Sequence, residues 1–472
     1  MNSNLGKNAI LYTLTTISVK AVSFLLLPFY THLIKPEEYG LISLFQIISS
    51  LLTVLFSITI HSSISRFFYD CKTEEEKKTL FSSIAFYSLV SSFALYIILF
   101  SVLKLFIKTD IYKSEYIILL LITSFINILI NNNMTLLKIA EKAKQVSIAT
   151  IVVSIFSIII NFILITSIID KVFAYMLSGA VAAFLSFSVS LYYVKNYFTI
   201  KLISFKKIIP AIKYSFFRLP VDLSAFVVTF ADRFMLFNMK SSFDTGLYSV
   251  GYKVGSALGM VSGSVNSAFV PHSFKLLSNY NDENAEKLRK DSVRILLVYS
   301  SFCFFMNLLL PELYLILNKD YYSSIYVSSI IIFTYYIDCL RYVFQVGMDY
   351  KIKYVKYKSM LWFSAAIVNI IFNFILIPSM GIYGASIATL LSNLVILPFI
   401  IYLSLKAYPL RHNKSIFLII GGTFLPVICF FIKPSLITFI IKLALVLTVL
   451  YITARKNKRF LLALIKNKKE LN

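Results

Sequence analysis

The sequence predicts an all-α protein that crosses a membrane about fourteen times, on the evidence of composition, apolar runs and loop charge. Of the 472 residues, 58% are hydrophobic and 14% are charged. A soluble domain has about 45–50% apolar and about 25% charged residues. One water-soluble core could not bury this excess, so lipid must cover much of the protein. The composition therefore excludes an ordinary soluble enzyme.

Apolar runs long enough to cross a bilayer, about 20 residues each, recur along the whole chain. The predicted spans are roughly 8–34, 40–65, 79–103, 116–137, 146–169, 172–194, 214–238, 245–271, 291–317, 325–349, 359–380, 382–405, 415–432 and 436–454. The first run is longer than the apolar core of a signal peptide and shows no small-residue cleavage site, so we predict that it is a span.

Basic residues are concentrated in every second loop between these spans. The basic segments are 66–78, 138–144, 195–213, 275–290, 351–358, 406–414 and the tail 455–469. Loops rich in Lys and Arg face the cytoplasm, so we predict that both termini are cytoplasmic. The net charge of +24 then reflects topology and attraction to anionic membrane lipids. It does not indicate nucleic-acid binding, because the charge is spread over many short loops.

Two sequence echoes indicate an internal duplication. Residues 161–165 and 373–377 share the sequence Asn-Phe-Ile-Leu-Ile, and residues 39–43 resemble residues 245–249. The offsets are 212 and 206 positions, and each echo joins a span to the span six places later. Six spans return the chain to the same side, so the repeats have the same orientation. Parallel repeats of this kind are typical of alternating-access transporters with a site near the membrane midplane.

The duplication predicts three regions along the chain. An N-terminal lobe of six helices takes residues 1–205, and a pseudo-symmetric C-terminal lobe of six helices takes residues 206–406. The last two helices and a basic cytoplasmic tail take residues 407–472.

Two lysines stand out at bilayer depth, where ionisable groups are costly and usually functional. Lys20 lies in the middle of the first span and Lys253 lies within the eighth. Neither has a carboxylate three or four residues away, and neither is close to a span end. An ammonium in a water-filled cavity of low dielectric strongly attracts phosphate. We therefore predict that both lysines bind an anionic group of the substrate.

The other ionisable groups have both a structural and a functional interpretation, as cavity or coupling residues. They are His61, Arg66, Arg218, Asp222, Asp232, Arg233, Asp338 and Arg341. Arg218 and Asp222 are four residues apart, and Asp338 and Arg341 are three apart, so each pair can neutralise itself on one helix face. Arg218 could also extend to the inner interface.

The sequence does not decide the roles of four residues near the middle or the ends of spans. Arg66 is interpreted as a topology charge that reaches the interface, whereas His61 is either a proton carrier or a structural hydrogen-bonding group. Pro28 and Pro220 occupy equivalent spans of the two halves, and each removes a backbone hydrogen bond. We predict kinks at both prolines, which serve either as hinges or as static bends.

Five stretches carry a family resemblance. They are residues 27–40 (LPFYTHLIKPEEYG), 232–236 (DRFML), 246–253 (GLYSVGYK), 369–378 (NIIFNFILIP) and 381–389 (GIYGASIAT). Together they resemble the polysaccharide-repeat-unit flippases of the multidrug/oligosaccharidyl-lipid/polysaccharide exporter superfamily. The resemblance covers nearly the whole chain.

The resemblance implies two six-helix lobes around a central cavity in the bacterial cytoplasmic (inner) membrane. It implies transport of an undecaprenyl-diphosphate-linked oligosaccharide, such as an O-antigen unit of lipopolysaccharide or a capsule unit, to the outer leaflet. Other membrane proteins of polysaccharide assembly are candidate partners. In related flippases, basic residues on helices one, two and eight meet the diphosphate. Lys20 and Lys253 match the first and third, whereas His61 and Arg66 are both imperfect counterparts on helix two.

Rival functions remain open within and outside the superfamily. A multidrug/cation antiporter would want acidic cavity groups, whereas the isolated groups here are lysines. A peptidoglycan-precursor flippase would share both fold and cavity charge. A membrane-bound polysaccharide-modifying enzyme would need a catalytic motif, and the sequence contains neither HExxH nor GxSxG. We therefore predict no enzymatic activity, no catalytic residues, no cofactor and no metal.

Overall fold

A computed structural model describes residues 11, 15, 18–19, 21–106, 113–279, 281–408, 437–438, 440–442 and 444–445. Within these ranges the regular secondary structure is helical. The α-helices are α1 (Leu27–Leu33), α2 (Pro36–Ser57), α3 (His61–Phe67), α4 (Glu74–Phe106), α5 (Ser114–Ile139), α6 (Ala143–Ser167), α7 (Lys171–Val194), α8 (Phe205–Met239), α9 (Ser242–Gly255), α10 (Ala257–Ser278), α11 (Asp282–Leu308), α12 (Leu310–Tyr314), α13 (Ile325–Phe344), α14 (Val346–Tyr350) and α15 (Ile352–Ala407).

The described helices confirm a polytopic all-α protein. Eight helical segments of the described chain are long and apolar enough to cross a membrane. Predicted spans two to twelve all fall on described helices, and α15 contains both the eleventh and the twelfth. The break between those two lies at Gly381, whose φ of 55° is in the left-handed region that glycine tolerates. Span thirteen and most of span fourteen lie outside the described residues.

Predicted span two is not one continuous helix. It is divided at Ile58 and Thr59, whose φ values are 48° and 51°. Left-handed backbone is strained for β-branched residues, at a cost of about 1–3 kcal/mol each. The strained turn ends α2 and begins α3 at His61, which places the histidine in the first turn of the new helix.

The chain divides into two compact units that differ in extent from the two predicted lobes. Unit 1 comprises residues 1–22 and 41–230, and unit 2 comprises residues 23–40 and 231–472. The segment 23–40 therefore belongs to the unit that holds the C-terminal helices, although the sequence places it in the first half. The six-plus-six division of the spans stays a prediction.

Unit 1 is built around α5, which packs along α7 and α4. Buried side-chain hydrogen bonds cross these helix contacts: Asn132 Nδ2 donates to Ser88 Oγ at 2.9 Å, and Asn133 Nδ2 donates to Ser190 Oγ at 3.0 Å. In lipid the hydrophobic effect does not drive helices together, so small residues and hydrogen bonds of this kind hold the packing.

A loop cluster in unit 1 ties the start of α5 to the start of α7. Lys113 Nζ and Tyr116 Oη both donate to Asp170 Oδ2, at 2.9 and 2.6 Å, and the Phe173 amide donates to Oδ1. Burial would raise the pKa of Asp170, but these donors outweigh it and hold the pKa below its usual range. Asp170 is therefore both an ion-pair partner and the N-cap of α7.

Unit 2 is built around α13, which packs against α9, α11 and α15. Its buried hydroxyls cross to neighbouring helices: Ser328 Oγ donates to the Gly251 carbonyl at 3.0 Å, and Ser329 Oγ donates to Asn307 Oδ1 at 2.8 Å. The predicted site residues of the second half lie on and around this helix.

Candidate functional site

Lys253 lies near the end of α9 in unit 2, on a half-buried position. Its ammonium is 5.5 Å from the centroid of the Tyr30 ring, which belongs to α1 of the same unit. A cation at this distance from an aromatic face is held by the ring quadrupole without being neutralised. Tyr30 therefore borders the ammonium of Lys253 on one side. Lys20, its predicted counterpart, lies outside the described residues.

The Asp232–Arg233 motif is engaged with tyrosines of α9. Asp232 is buried, and it accepts hydrogen bonds from the Tyr248 hydroxyl and from the Arg233 amide. The Arg233 guanidinium lies over the Tyr252 ring, 4.2 Å from its centroid. The resemblance left open whether this motif binds substrate or braces the fold. The Tyr248–Asp232 hydrogen bond joins α8 to α9, and a role of the motif in substrate binding stays a prediction.

Asp338 and Arg341 form the predicted ion pair, at 3.1 Å, on α13. Arg341 also lies over the ring of Trp362, 4.1 Å from its centroid, which is the one tryptophan of the sequence. The Tyr335 hydroxyl, one turn before Asp338, lies 3.2 Å from the Tyr252 hydroxyl. This tyrosine pair joins α9 to α13, a contact that the sequence did not predict.

His61, Arg218 and Asp222 all belong to unit 1. Arg218 Nε lies 3.3 Å from Asp222 Oδ2, as the spacing of four residues predicted. Both groups act electrostatically on His61, although they are far from it in the sequence. His61 Nδ1 is buried and, among the described residues, has no hydrogen-bond partner.

The remaining predicted residues are Arg66, Pro28 and Pro220, and their roles stay predictions. Arg66 pairs with Asp70 at 2.7 Å, and both side chains are more than half exposed. Pro28 lies in the first turn of α1, directly after a break at Leu26, where a missing amide costs nothing. Pro220 lies inside the continuous helix α8.

The repeated Asn-Phe-Ile-Leu-Ile motif is packed differently in the two units. In unit 2, Asn373 Nδ2 donates to Asn369 Oδ1 at 3.0 Å, and Asn369 Nδ2 points at Thr389 Oγ1 at 3.4 Å. Both asparagines are fully buried. In unit 1, Asn161 is only half-buried, and its Oδ1, like Asn373 Oδ1 in unit 2, has no hydrogen-bond partner among the described residues.

Sequence reasoning missed one ion pair at bilayer depth. Glu312 Oε1 and Lys442 Nζ lie 2.7 Å apart in unit 2, on predicted spans nine and fourteen. Glu312 lines an apolar cavity of about 470 Å³ among residues of α9 to α12. A search for every charge within a predicted span would have found both residues. It would not have paired them, because they are 130 positions apart.

In the candidate site, Asp232 and Asp338 each have a nearby hydrogen-bond or ion-pair partner, and Lys253 lies beside the Tyr30 ring.

A family model described as polysaccharide biosynthesis protein matches residues 5–277. The chain belongs to this family. Two Haemophilus influenzae proteins are similar in sequence to most of this chain. One is the Lsg locus putative protein 1, 24% identical over 80% of this chain and 94% of its own, and the other is an uncharacterized membrane protein, 22% identical over 81% and 94%.

Solved transporter structures share the fold of this polysaccharide biosynthesis protein. The lipid II flippase MurJ in an inward closed conformation aligns with a TM-score of 0.71 and 18% identity, over 96% of this chain and 100% of that one. An inward-facing multidrug resistance MATE family transporter of the MOP superfamily aligns with a TM-score of 0.64 and 13% identity, over 84% and 95%. The predicted superfamily fold is confirmed.

Proposed function

We propose that the chain is a flippase that moves an undecaprenyl-diphosphate-linked oligosaccharide from the inner to the outer leaflet of the bacterial cytoplasmic membrane by alternating access. The observation that carries the proposal is Lys253, a cation at membrane depth positioned by Tyr30. A diphosphate cannot cross hydrocarbon unaided, and a fixed ammonium lowers that barrier. The oligosaccharide is a repeat unit of a surface polysaccharide, such as O-antigen or capsule. Both termini lie in the cytoplasm.

The polysaccharide biosynthesis family supports a sugar polymer precursor as the cargo. The fold shared with a lipid II flippase supports a lipid-linked form of that precursor. Because the sequence contains no phosphate-binding loop of the GxxxxGK[ST] type, the membrane potential or an ion gradient supplies the energy.

A peptidoglycan precursor is the second candidate cargo, favoured by the TM-score of 0.71 to the lipid II flippase. It would use the same lysine, because it carries the same lipid diphosphate. A cationic drug is a less well supported cargo. A pump for cationic drugs would present a carboxylate to the cavity, whereas here Asp232 is hydrogen-bonded to Tyr248 and Asp338 is paired with Arg341.

Deletion of the gene in its host tests the proposal. We expect surface polysaccharide to disappear and the lipid-linked repeat unit to accumulate on the cytoplasmic leaflet. Complementation with Lys253→Ala should fail to restore export even when the variant is expressed at the level of the wild-type protein. Lys253→Arg should restore it in part, because the charge is kept. The matched control is Lys287→Ala, which removes an equal charge from an exposed position at the start of α11.

Normal surface polysaccharide in the deletion strain, without a second flippase, would overturn the assignment. Arrest of peptidoglycan synthesis with intact surface polysaccharide would instead support the second candidate. Full export by a well-expressed Lys253→Ala variant would remove the lysine from the mechanism.

A further inference from the structure

Segment 195–213, one of the basic segments of the sequence, runs from the end of α7 into the first turns of α8 and is anchored to α4. Two fully buried serines of α4, Ser82 and Ser83, bind its backbone. Ser82 Oγ accepts from the Thr199 amide at 2.9 Å, and Ser83 Oγ accepts from the Ser204 amide at 2.8 Å. The segment is therefore held on unit 1 by hydrogen bonds to its backbone.

Apolar side chains of this segment project from unit 1 instead of packing into it. Ile200 is 73% exposed, Phe205 is 71% exposed and Ile209 is 66% exposed. Phe205, Ile209 and Phe216 lie on one face of α8, because they are spaced by four and seven residues. Phe216 is also exposed and belongs to predicted span seven, whereas Arg218 follows on the opposite side of the helix. The apolar face of the segment is therefore continuous with an apolar face of that span.

The same segment carries positive charge that the chain does not neutralise. Residues 171–221 contain no Asp or Glu, and the segment has five lysines: Lys195, Lys201, Lys206, Lys207 and Lys213. Within the described part of the chain, none of these five forms a salt bridge. The basic segments 66–78 and 275–290 differ, because they contain acids that pair with their own cations. The charge of segment 195–213 is therefore left for an anion from outside the chain.

Tyrosines border two ammonium groups at the start of the segment. Lys195 Nζ lies 4.5 Å from the centroid of the Tyr192 ring, and Lys142 Nζ lies 4.9 Å from that of Tyr197. Tyrosine is enriched at the membrane–water interface, where its ring and its hydroxyl both find a suitable environment. These contacts indicate that the segment begins at the depth of the lipid headgroups.

We propose that segment 195–213 is a membrane-surface anchor, which inserts its apolar face into the cytoplasmic leaflet and binds the headgroups of anionic phospholipids through its lysines. Exposed apolar side chains beside lysines are typical of segments that lie in the interface. The cytoplasmic leaflet is anionic and attracts lysines next to a span. Lipid cannot bond to backbone amides, and Ser82 and Ser83 do so in its place. The proposal uses the predicted orientation of the basic loops and does not depend on the flippase assignment.

Brominated phospholipids test the contact directly, because they quench tryptophan fluorescence only at short range. Trp362 is the one tryptophan of the sequence, so Phe205→Trp in a Trp362→Phe background provides a single reporter. The full chain is reconstituted in mixed vesicles of phosphatidylglycerol and phosphatidylcholine, with one lipid or the other brominated on its acyl chains. We expect both lipids to quench, with phosphatidylglycerol enriched roughly fivefold at the reporter, the effect of about one lysine near an anionic surface. High salt should reduce that enrichment.

Two charge variants separate the lysines of this segment from positive charge in general. The test variant replaces three exposed lysines of the segment: Lys195→Gln, Lys201→Gln and Lys206→Gln. The matched control replaces three exposed lysines of other basic segments: Lys275→Gln, Lys287→Gln and Lys353→Gln. The test variant should lose the enrichment of phosphatidylglycerol and keep quenching by phosphatidylcholine, whereas the control should keep both.

A second reporter position guards against a general preference of the protein for anionic lipid. Phe162 is 52% exposed and lies toward the opposite end of its predicted span, so Phe162→Trp should be quenched equally by the two lipids. Absence of quenching at position 205 would place the segment outside the bilayer and overturn the proposal. Equal quenching by both lipids there, or an enrichment that survives the test variant, would also overturn it. None of these results would affect the flippase assignment, so the two proposals fail separately.

Discussion

The hydroxyl groups of Tyr252 and Tyr335 lie 3.2 Å apart and join two helices of unit 2, α9 and α13. Arg233 lies on the face of the Tyr252 ring, and Asp338 follows Tyr335 by one helical turn. The tyrosine pair therefore joins α9, which contacts Arg233, to α13, which carries Asp338. In a low-dielectric interior such a hydrogen bond is electrostatically stronger than in water.

Removal of the tyrosine hydrogen bond should weaken this contact without removing either ring. Tyr335→Phe should lower the free energy of unfolding by about 1 kcal/mol, the usual net value of one buried hydrogen bond. The measurement is thermal unfolding of the purified protein in detergent. Tyr402→Phe is the control, because Tyr402 is 63% exposed. Equal melting temperatures for the two variants would mean that the Tyr252–Tyr335 bond contributes nothing.

The Asp338–Arg341 pair should respond differently to single and double substitution. Asp338→Asn leaves the Arg341 guanidinium buried without its counter-ion, at a cost of about 3–5 kcal/mol. Asp338→Asn combined with Arg341→Met removes both charges and should recover much of that loss. The yield of folded protein and its melting temperature measure both variants. A double variant less stable than the single one would contradict the ion-pair interpretation.

Tyr30 should act through Lys253. Tyr30→Leu removes the aromatic face and should reduce export of the lipid-linked substrate about fivefold, since a cation–π contact is worth about 1 kcal/mol. Tyr30→Phe keeps the face and should export at nearly the wild-type rate. Equal export by the two variants would show that the ring does not position the ammonium.

Acid should weaken the Asp170 cluster of unit 1. The pKa of Asp170 is lowered in the folded protein, so its contribution to stability is present above the unfolded pKa and is lost as pH falls through the folded pKa. Asp170→Asn should flatten the fall of stability at acid pH yet keep a capping oxygen for α7. Asp170→Ala should also lose the cap, about 1 kcal/mol at neutral pH. The test is the free energy of unfolding of each variant, measured between neutral and acid pH. Parallel pH profiles for Asp170→Asn and the wild type would show that Asp170 does not cause the loss of stability in acid.

Local features of the chain were sufficient for the fold class. Each span is an apolar run of its own, and loops between spans carry their own charge bias, so spans two to twelve could be placed without knowledge of any contact. The pairs Arg218–Asp222 and Asp338–Arg341 were equally local, because three or four residues bring two side chains together on any helix. The interruption of span two at Ile58 was not predictable, since β-branched residues rarely adopt a left-handed backbone.

The sequence by itself determined that this is a polytopic helical membrane protein, whereas its repeated half and its lysines at bilayer depth stay predictions. Only the tertiary structure decided that Glu312 pairs with Lys442 and that the repeat-equivalent glycines Gly40 and Gly246 pack closely. The physical reason is that span formation depends on the solubility of each segment in lipid. The partner of a buried charge depends on which faces of distant helices meet, and helix packing alone sets that.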